Sequence, residues 1–438
     1  MKIIFLGWFL VIYLLATGSV VVASEEAEPG AMQGIPPTRE TQATMKNYRE
    51  HPFSQWTFRN AGGPLNVVMI PREGAIRELP GPTQPELAEY SVSDVAGKTM
   101  GFQALFAANH ADGVVVVRGD ELLYEHYFHQ FNAHAQHIWF SMSKSLASSA
   151  LGLLVAEGKV DLLASPVKYI PELKGSGFER VTVQHVLDMA SSVDFHETYT
   201  NVDSDFAIHY APALNLGWLE GAADVQPEDA QIYGVHDFLG KFIKPDLKRQ
   251  PGDNFDYNSS NADVVGWIIA RVSGQPFQDF IQQNIWSKLG AEHDAYIAVD
   301  RAYMPAVTGG MNSTTRDAAR FGMMIRDRGK YNGEQIIPQA WVDANVVITD
   351  RLRSNMKANT KYSDDPWRAY HNMWWVLDET IGEYCAVGIH GQVIYINRKA
   401  DTVMAWFSSQ PGASAARDPN FQSKLKAARI LAAHLAEQ

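Results

Sequence analysis

The sequence predicts an α/β (α+β) fold: an antiparallel sheet flanked by helices, with an inserted, mostly α-helical domain. Strand patterns occur early and late in the chain, whereas the segment between them combines helical spacing with long polar loops. Strands that flank a helical segment in this way are typical of one domain interrupted by another. We therefore expect an α/β domain at residues 96–175 and 300–438 and a helical domain at residues 176–299.

The N-terminal part of the chain precedes this core. The chain begins with a basic residue, continues with an apolar run and then reaches Ala23 and Ser24. This is the order of regions in a secretory signal. An uncleaved anchor is the alternative, because the run approaches the roughly 20 residues that a membrane helix needs. No basic cluster follows the run, so we expect a signal peptide at residues 1–23, export to the periplasm or the exterior, and no membrane attachment after cleavage. The Pro- and Gly-rich residues 24–95 are expected to form an extended arm.

Strand signals mark the two ends of the predicted core. Residues 112–128 contain two apolar runs around a tight turn at Arg118-Gly119-Asp120-Glu121, which predicts an antiparallel hairpin. Further strands are predicted at residues 372–377, 391–397 and 402–408.

Helices are predicted where apolar residues recur at helical spacing. The clearest, residues 313–329, opens with capping Ser and Thr residues and ends at Gly329. The others are predicted at residues 102–109, directly after Ser141, at 182–190, 235–242 and 263–272, and from about residue 422.

The composition excludes some partners. The 438 residues are 46% hydrophobic, which suffices for a large core, and carry a formal net charge of −12. Because the chain shows no basic patch, neither nucleic acid nor an anionic membrane is expected as a partner, and the oligomeric state is not indicated. Cys385 is the only cysteine, so an intramolecular disulfide is excluded and a buried core thiol is expected.

A Ser-x-x-Lys tetrapeptide is the first candidate for chemistry. The chain contains this pattern at Ser141, Ser165, Ser354 and Ser423. Ser165 is interpreted as a helix cap, and Ser354 and Ser423 as parts of solvent-exposed stretches. Only Ser141 leads into an apolar helix, with no charge between Lys144 and Glu157. Since residues three apart share a helix face, the Ser141 hydroxyl and the Lys144 amine are expected to meet.

Lys144 is interpreted as the base that activates Ser141. An amine with an ordinary pKa of about 10.4 accepts a proton at neutral pH only when burial or a nearby cation lowers that pKa. The alternative is a lysine that extends to solvent, which fits poorly in so apolar a run. Burial of Lys144 is therefore expected.

Tyr257 is the second candidate. It lies in Phe255-Asp256-Tyr257, at the junction of a loop and a helix. A tyrosine between a lysine and a nucleophile acts as a base when ionised, or passes a proton to the leaving group. The alternative is an aromatic ring packed at a helix start.

Residues 386–392 are the third element, with Gly388 and Gly391 among them. In a loop or edge-strand turn, these glycines would let backbone N–H groups approach a bound carbonyl. Together with the Ser141 N–H at its helix N-terminus, the turn would form an oxyanion hole. His390 and Gly391 are candidate substrate contacts, and for His390 an ordinary turn residue is the alternative.

The three motifs in this order resemble those of the serine β-lactamase and penicillin-binding superfamily, most closely its class C and esterase branch. The similarity covers roughly residues 100–410. Residues 32–37, residues 55–58 and Tyr257-Asn258-Ser259 are most similar to the 6-aminohexanoate-dimer hydrolase group, which cleaves linear amides and carboxylic esters. The resemblance implies a β-lactamase/transpeptidase-like fold and a serine hydrolase that acts on a small ester or amide.

The resemblance also implies roles for individual residues. Ser141 is the acylated nucleophile, Lys144 its activating base and Tyr257 the proton relay. The Ile389 N–H is an oxyanion donor. Tyr199 resembles a substrate-contacting tyrosine, with an ordinary loop aromatic as the alternative. No metal and no cofactor are implied.

Two departures limit the resemblance. Ser259 stands where lactamases of this branch carry asparagine, and residues 386–392 contain no Lys-Thr-Gly triplet. An esterase or amidase is therefore expected ahead of a β-lactamase or a D-alanyl-D-alanine peptidase. An inactive penicillin-recognising binding protein and an acyltransferase remain alternatives. Trp374 and Trp375 are expected either in the cleft wall or in the core.

Overall fold

A computed structural model of the chain describes residues 30–199, 201–217, 232–415 and 417–438. The predicted signal peptide at residues 1–23 lies outside the described residues. Among the described residues, no helix has both the length and the apolar character that a membrane crossing requires.

The main sheet joins the early hairpin to the end of the chain. Thr402–Ser408 pairs antiparallel with Ala111–Arg118, so segments almost 300 residues apart become neighbours. This confirms the predicted antiparallel sheet flanked by helices. Within the described residues the sheet has seven strands, in the spatial order Ala369–His371, Trp374–Asp378, Glu383–Gly388, Gln392–Asn397, Thr402–Ser408, Ala111–Arg118 and Glu121–Tyr127.

One interior strand was not predicted. Residues 386–392 were expected in a loop or edge-strand turn, but Glu383–Gly388 is a strand with a partner on each side. Its first residue is a buried glutamate, which masks the apolar signal of the strand. Glu383 is tolerated because Tyr395 Oη donates to it at 2.7 Å and Arg429 Nε at 2.8 Å.

A second sheet supports the segment before Ser141. Trp139 N donates to Met311 O at 2.8 Å, next to the strands of this sheet. The spatial order of the strands in this sheet is Val67–Ile70, Ala295–Ala298, Met311–Ser313 and His137–Ile138. The first of these strands belongs to the predicted arm. Two-stranded pairs are Ser91–Ser93 with Thr99–Gly101, Val193–Asp194 with Lys244–Pro245, and Lys330–Tyr331 with Glu334–Gln335. The predicted domain boundaries remain predictions.

Helices cover the sheets and fill the space between the strand segments. The predicted helices are present, with most ends shifted by a few residues. The α-helices are Phe53–Thr57, Phe102–Ala108, Ser143–Ala156, Val183–Leu187, Ala211–Leu214, Val235–Asp237, Ser260–Ser273, Phe277–Ile281, Thr315–Arg326, Gln339–Ala344, Asp350–Ala358 and Pro419–Leu435. The 3₁₀ turns are Arg39–Thr41, Pro85–Glu89, Phe140–Met142, Pro166–Lys168, Pro171–Leu173, Gly177–Arg180 and Ile389–Gly391, and the π turns are Phe206–Tyr210, Phe238–Phe242 and Gln282–Trp286.

The helix Ser143–Ala156, called the Ser143 helix below, is buried on most sides. It packs against Ser260–Ser273, and Ser145 Oγ donates to Met373 O at 2.7 Å. Gly152 is required because a Cβ at that position would lie 2.4 Å from Trp341 Cγ. The position of Ser141 therefore depends on close packing around this helix.

We predict that Gly152→Val lowers the free energy of unfolding by about 1–3 kcal/mol, the usual cost of overpacking a core. Ala156→Val on the same helix is the control and should cost less, because Ala156 is exposed. Urea unfolding of both variants measures the difference. Equal losses in the two variants would contradict the packing argument.

Candidate active site

Ser141 lies in the 3₁₀ turn Phe140–Met142, immediately before the Ser143 helix. The preceding residue, Phe140, has a φ of +45°, which is sparsely populated for a bulky side chain and costs about 1–3 kcal/mol. Its ring is held by Phe58, with centroids 4.9 Å apart, and by His390 at 5.5 Å. Packing therefore holds the strained turn that presents Ser141.

Lys144 reaches Ser141 across one helical turn, as predicted. Its Nζ donates to Ser141 Oγ at 2.7 Å and to Thr308 O at 2.9 Å, and the side chain is 1% exposed. Burial lowers the pKa of Lys144 to about 8, although the carboxylates of Glu197 and Asp263 counteract this effect. A neutral amine able to take the Ser141 proton is therefore accessible near neutral pH.

Tyr257 completes the group. Tyr257 lines the same pocket as Ser141, and Lys144 Nζ lies 5.3 Å from its ring centre. The ring is stacked on Trp375, with centroids 5.6 Å apart. Burial, reinforced by the charge of Glu197, raises the pKa of Tyr257 far above its ordinary value. Of the two roles left open by the sequence, the electrostatics favour a neutral phenol that relays a proton.

The turn Ile389–Gly391, called the Ile389 turn below, lies against the segment that leads to Ser141. A Cβ on Gly388 would lie 2.3 Å from Trp139 O, so only glycine permits this approach. Ile389 and Ser141 then line the same cleft. Gln392 Nε2 donates to Ile389 O at 3.1 Å and fixes the turn. The oxyanion role of the Ser141 and Ile389 N–H groups remains a prediction.

His390 and Gly391 support the turn from behind and do not line the cleft. The His390 side chain is 2% exposed, lies near Phe58 and has Nδ1 2.9 Å from Gln410 O. Burial lowers the pKa of His390 to about 3, so the ring is neutral. Gly391 has a φ of +93°, and a Cβ there would meet Gln410 Oε1 at 2.5 Å. Both residues belong to the Ile389 turn, and substrate contacts at His390 and Gly391 remain predictions.

Tyr199 and Ser259 do lie beside Ser141, and both bind a carboxylate that the sequence analysis missed. Ser259 donates to Glu197 from its backbone N at 2.5 Å and from Oγ at 2.9 Å. Tyr199 Oη also donates to Glu197. Nothing in the local sequence distinguishes this loop glutamate, although it lies two residues from Tyr199. Substrate contacts at Tyr199 and Ser259 remain predictions.

Asp263 is a second missed carboxylate, and it lies behind Lys144. Its oxygens accept from Tyr210 Oη at 2.5 Å and from Thr308 N at 3.1 Å. The carbonyl of the same Thr308 accepts from Lys144. Burial raises the pKa of Asp263 to about 7. The sequence shows this residue only as an acid within an apolar helix. Its hydrogen-bond partners are distant in the chain, so the local sequence did not reveal its role.

Ser141 and Ile389 lie between two pockets. The aromatic pocket is lined by Tyr257, Tyr362, Trp367, Trp375 and Val387, with Lys361 near its rings. The second pocket, called the polar pocket for the charged side chains of Arg49 and Glu197, is also lined by Ser259, Thr308, Tyr210 and the apolar side chains of Phe140, Phe206, Leu214 and Leu216. Tyr199 belongs to both.

The two adjacent tryptophans point to opposite sides of their strand, as alternation along a strand requires. Trp375 lines the aromatic pocket. Trp374 is fully buried against Tyr384 and Phe321. The expected place in the cleft wall is therefore correct for Trp375, and the expected place in the core is correct for Trp374.

One cluster of potential metal-ligand side chains lies away from this cleft. Among the described residues, His134, Glu292 and His293 are a group whose ligand atoms lie within 4.8 Å of one another. None of these residues lines the aromatic or the polar pocket.

Comparison with known proteins identifies the family. The family model described as Beta-lactamase matches residues 102–429. The chain belongs to the beta-lactamase family. Over 384 residues it is 31% identical to the 6-aminohexanoate-dimer hydrolase of Paenarthrobacter ureafaciens, covering 87% of this chain and 90% of that protein. This confirms the resemblance inferred from the motifs.

Solved structures with a similar fold agree with this result. A Bacillus anthracis protein that carries the 6-aminohexanoate-dimer hydrolase name superposes with a TM-score of 0.80 at 26% identity, covering 92% of this chain and 99% of that one. EstCE1, named as a hydrolase with promiscuous acyltransferase activity, has a TM-score of 0.55 at 14% identity over 74% of this chain and 96% of its own, and shows the fold alone. The protein is thus a serine hydrolase of the beta-lactamase family.

The charge of Glu197 should set the pH dependence of Ser141 reactivity. In the wild type, labelling of Ser141 by a fluorophosphonate should accelerate as the pH rises through about 8, because Lys144 then loses its proton. Glu197 raises the pKa of Lys144, so Glu197→Gln should lower that pKa and move the rising limb to lower pH. Glu172→Gln, at an exposed ion pair, is the control. A shift to higher pH would contradict this assignment.

Proposed function

We propose that the protein is an exported serine hydrolase that cleaves a carboxylic ester or a linear amide of a small molecule through a Ser141 acyl-enzyme. The observation that carries the proposal is the 2.7 Å contact between Ser141 Oγ and the buried amine of Lys144, with Tyr257 lining the same pocket. This is the arrangement of a nucleophile, its base and a proton relay.

The reaction follows from these positions. Neutral Lys144 takes the Ser141 proton while Oγ attacks the substrate carbonyl, and the N–H groups of Ser141 and Ile389 stabilise the oxyanion. Tyr257 gives its proton to the leaving oxygen or nitrogen as the carbonyl bond to that atom breaks, and the Lys144 ammonium restores the tyrosine proton. Water then attacks the acyl-enzyme by the same proton path in reverse and releases the acid.

The substrate class is supported by two features. The interior strand Glu383–Gly388 ends in Ala386-Val387-Gly388, so the strand itself lacks the lysine that the Lys-Thr-Gly triplet of lactamases supplies for a β-lactam carboxylate. The Paenarthrobacter ureafaciens relative is named for hydrolysis of a 6-aminohexanoate dimer, which is a linear amide. A β-lactamase or a D-alanyl-D-alanine peptidase is therefore the weaker alternative.

Export is part of the same proposal. It rests on the apolar segment and the small residues that follow it at Ala23 and Ser24. Recovery of a processed chain in the periplasm or the medium, with an N-terminus near Ser24, tests it. A full-length chain retained in the cell would contradict it.

The substrate class is tested with the wild type and Ser141→Ala. The substrates are a short-chain nitrophenyl ester, a linear amide dimer and a chromogenic cephalosporin. We expect turnover of the ester or the amide, little turnover of the cephalosporin, and no acyl-enzyme in Ser141→Ala by intact-protein mass spectrometry. No turnover of any substrate would favour a binding protein.

Tyr257→Phe should lower turnover by about 10²–10⁴-fold, the range for loss of a general acid–base group. Tyr370→Phe is the matched control, because its ring packs against Tyr257 at 5.8 Å. The control removes a hydroxyl from the neighbouring ring and should retain most of the turnover. An unchanged kcat in Tyr257→Phe would remove this residue from the mechanism.

A further inference from the structure

Arg49 brings a cation from the N-terminal arm into the polar pocket. It lines this pocket together with Ser141, Ser259 and Ile389. Its Nη2 donates to Leu216 O at 3.2 Å. Its Nε and Nη1 are shielded from solvent and have no hydrogen-bond partner among the described residues. Leaving charged donors buried without an acceptor is costly, so these two nitrogens are suited to a ligand.

Glu197 is close enough to affect Arg49 electrostatically but does not satisfy these donors. Its carboxylate oxygens already accept from Ser259 and from Tyr199. Burial lowers the pKa of Arg49, but a guanidinium keeps its proton in proteins, so the side chain remains charged. The polar pocket therefore holds an occupied carboxylate and a guanidinium with unused donors.

The position of Tyr257 shows which part of a substrate would reach Arg49. Tyr257 lines the aromatic pocket and not the polar pocket. A residue that protonates the leaving group must lie on the leaving-group side of Ser141. On the proposed mechanism, the leaving group therefore occupies the aromatic pocket and the acyl group extends into the polar pocket.

We propose that Arg49 binds a carboxylate carried by the acyl group of the substrate, so that the enzyme prefers half-esters or half-amides of dicarboxylic acids. This inference rests on the proposed acyl-enzyme function. A guanidinium pairs with carboxylates through charge-assisted hydrogen bonds, which are stronger than those to neutral acceptors. The acyl half of a 6-aminohexanoate dimer ends in an ammonium group, which Arg49 would repel and Glu197 would attract.

The test compares acyl chains of equal length that differ only at their end. Nitrophenyl half-esters of glutaric and adipic acid are compared with the methyl-ended alkanoyl esters and with the 6-aminohexanoyl ester. In the wild type, kcat/KM for the carboxylate-ended esters should exceed that for the methyl-ended ones by about tenfold or more, the effect of a charged hydrogen bond. Rates in Ser141→Ala are subtracted as background.

Variants of Arg49 show whether this residue causes the preference. The ratio of carboxylate-ended to methyl-ended kcat/KM should fall to about one in Arg49→Met and to an intermediate value in Arg49→Lys, which keeps the charge but not the planar group. Arg59→Met is the control and should keep the wild-type ratio, because Arg59 is on the same arm and binds Gln55 O. Competition by free glutarate measures the same preference in the wild type without any variant.

The outcomes separate this inference from the proposed function. Ser141-dependent hydrolysis without a carboxylate preference, with an ammonium preference, or with a preference that survives in Arg49→Met would overturn the role of Arg49 and leave the hydrolase function intact. No Ser141-dependent hydrolysis of any of these esters or amides would overturn both.

Discussion

The burial of the Lys144 amine is the constraint on which the rest of the site depends. A lysine that is 1% exposed is stable only if its charge is compensated or its pKa falls, and here both occur. The carbonyl of Thr308 and the hydroxyl of Ser141 accept its hydrogen bonds, while Asp263 and Glu197 supply negative charge. These partners come from four separate segments, so the base exists only when the whole fold is assembled.

Glu197 connects the groups around Ser141. Its charge raises the pKa of Lys144 and of Tyr257, which holds the lysine closer to its charged form and the tyrosine in its neutral form. The same carboxylate accepts hydrogen bonds from Ser259 and Tyr199, and so shapes the polar pocket. A single carboxylate thereby affects both the reactivity of the nucleophile and the wall that faces the acyl group.

A second buried amine stabilises the fold behind the Ile389 turn. Lys424 Nζ donates to Asn109 O at 2.5 Å, to Ser408 Oγ at 2.9 Å and to Gln410 Oε1 at 3.2 Å. Burial lowers the pKa of Lys424 to about 7. The backbone carbonyl of Gln410 accepts from the neutral ring of His390, so the C-terminal helix and the sheet together hold the turn. Hydrogen bonds to fixed partners in a dry environment give this turn its rigidity.

The sequence by itself determined the family, the antiparallel hairpin, the long amphipathic helix and the Ser141–Lys144 pair. These features depend on spacing within one turn or one strand, which the order of residues specifies directly. Only the tertiary structure decided that Glu383–Gly388 is an interior strand, that His390 is a turn residue, and that Glu197 and Arg49 face Ser141. Such positions depend on contacts between residues far apart in the chain, for which local periodicity carries no signal, because packing and desolvation act on the assembled fold.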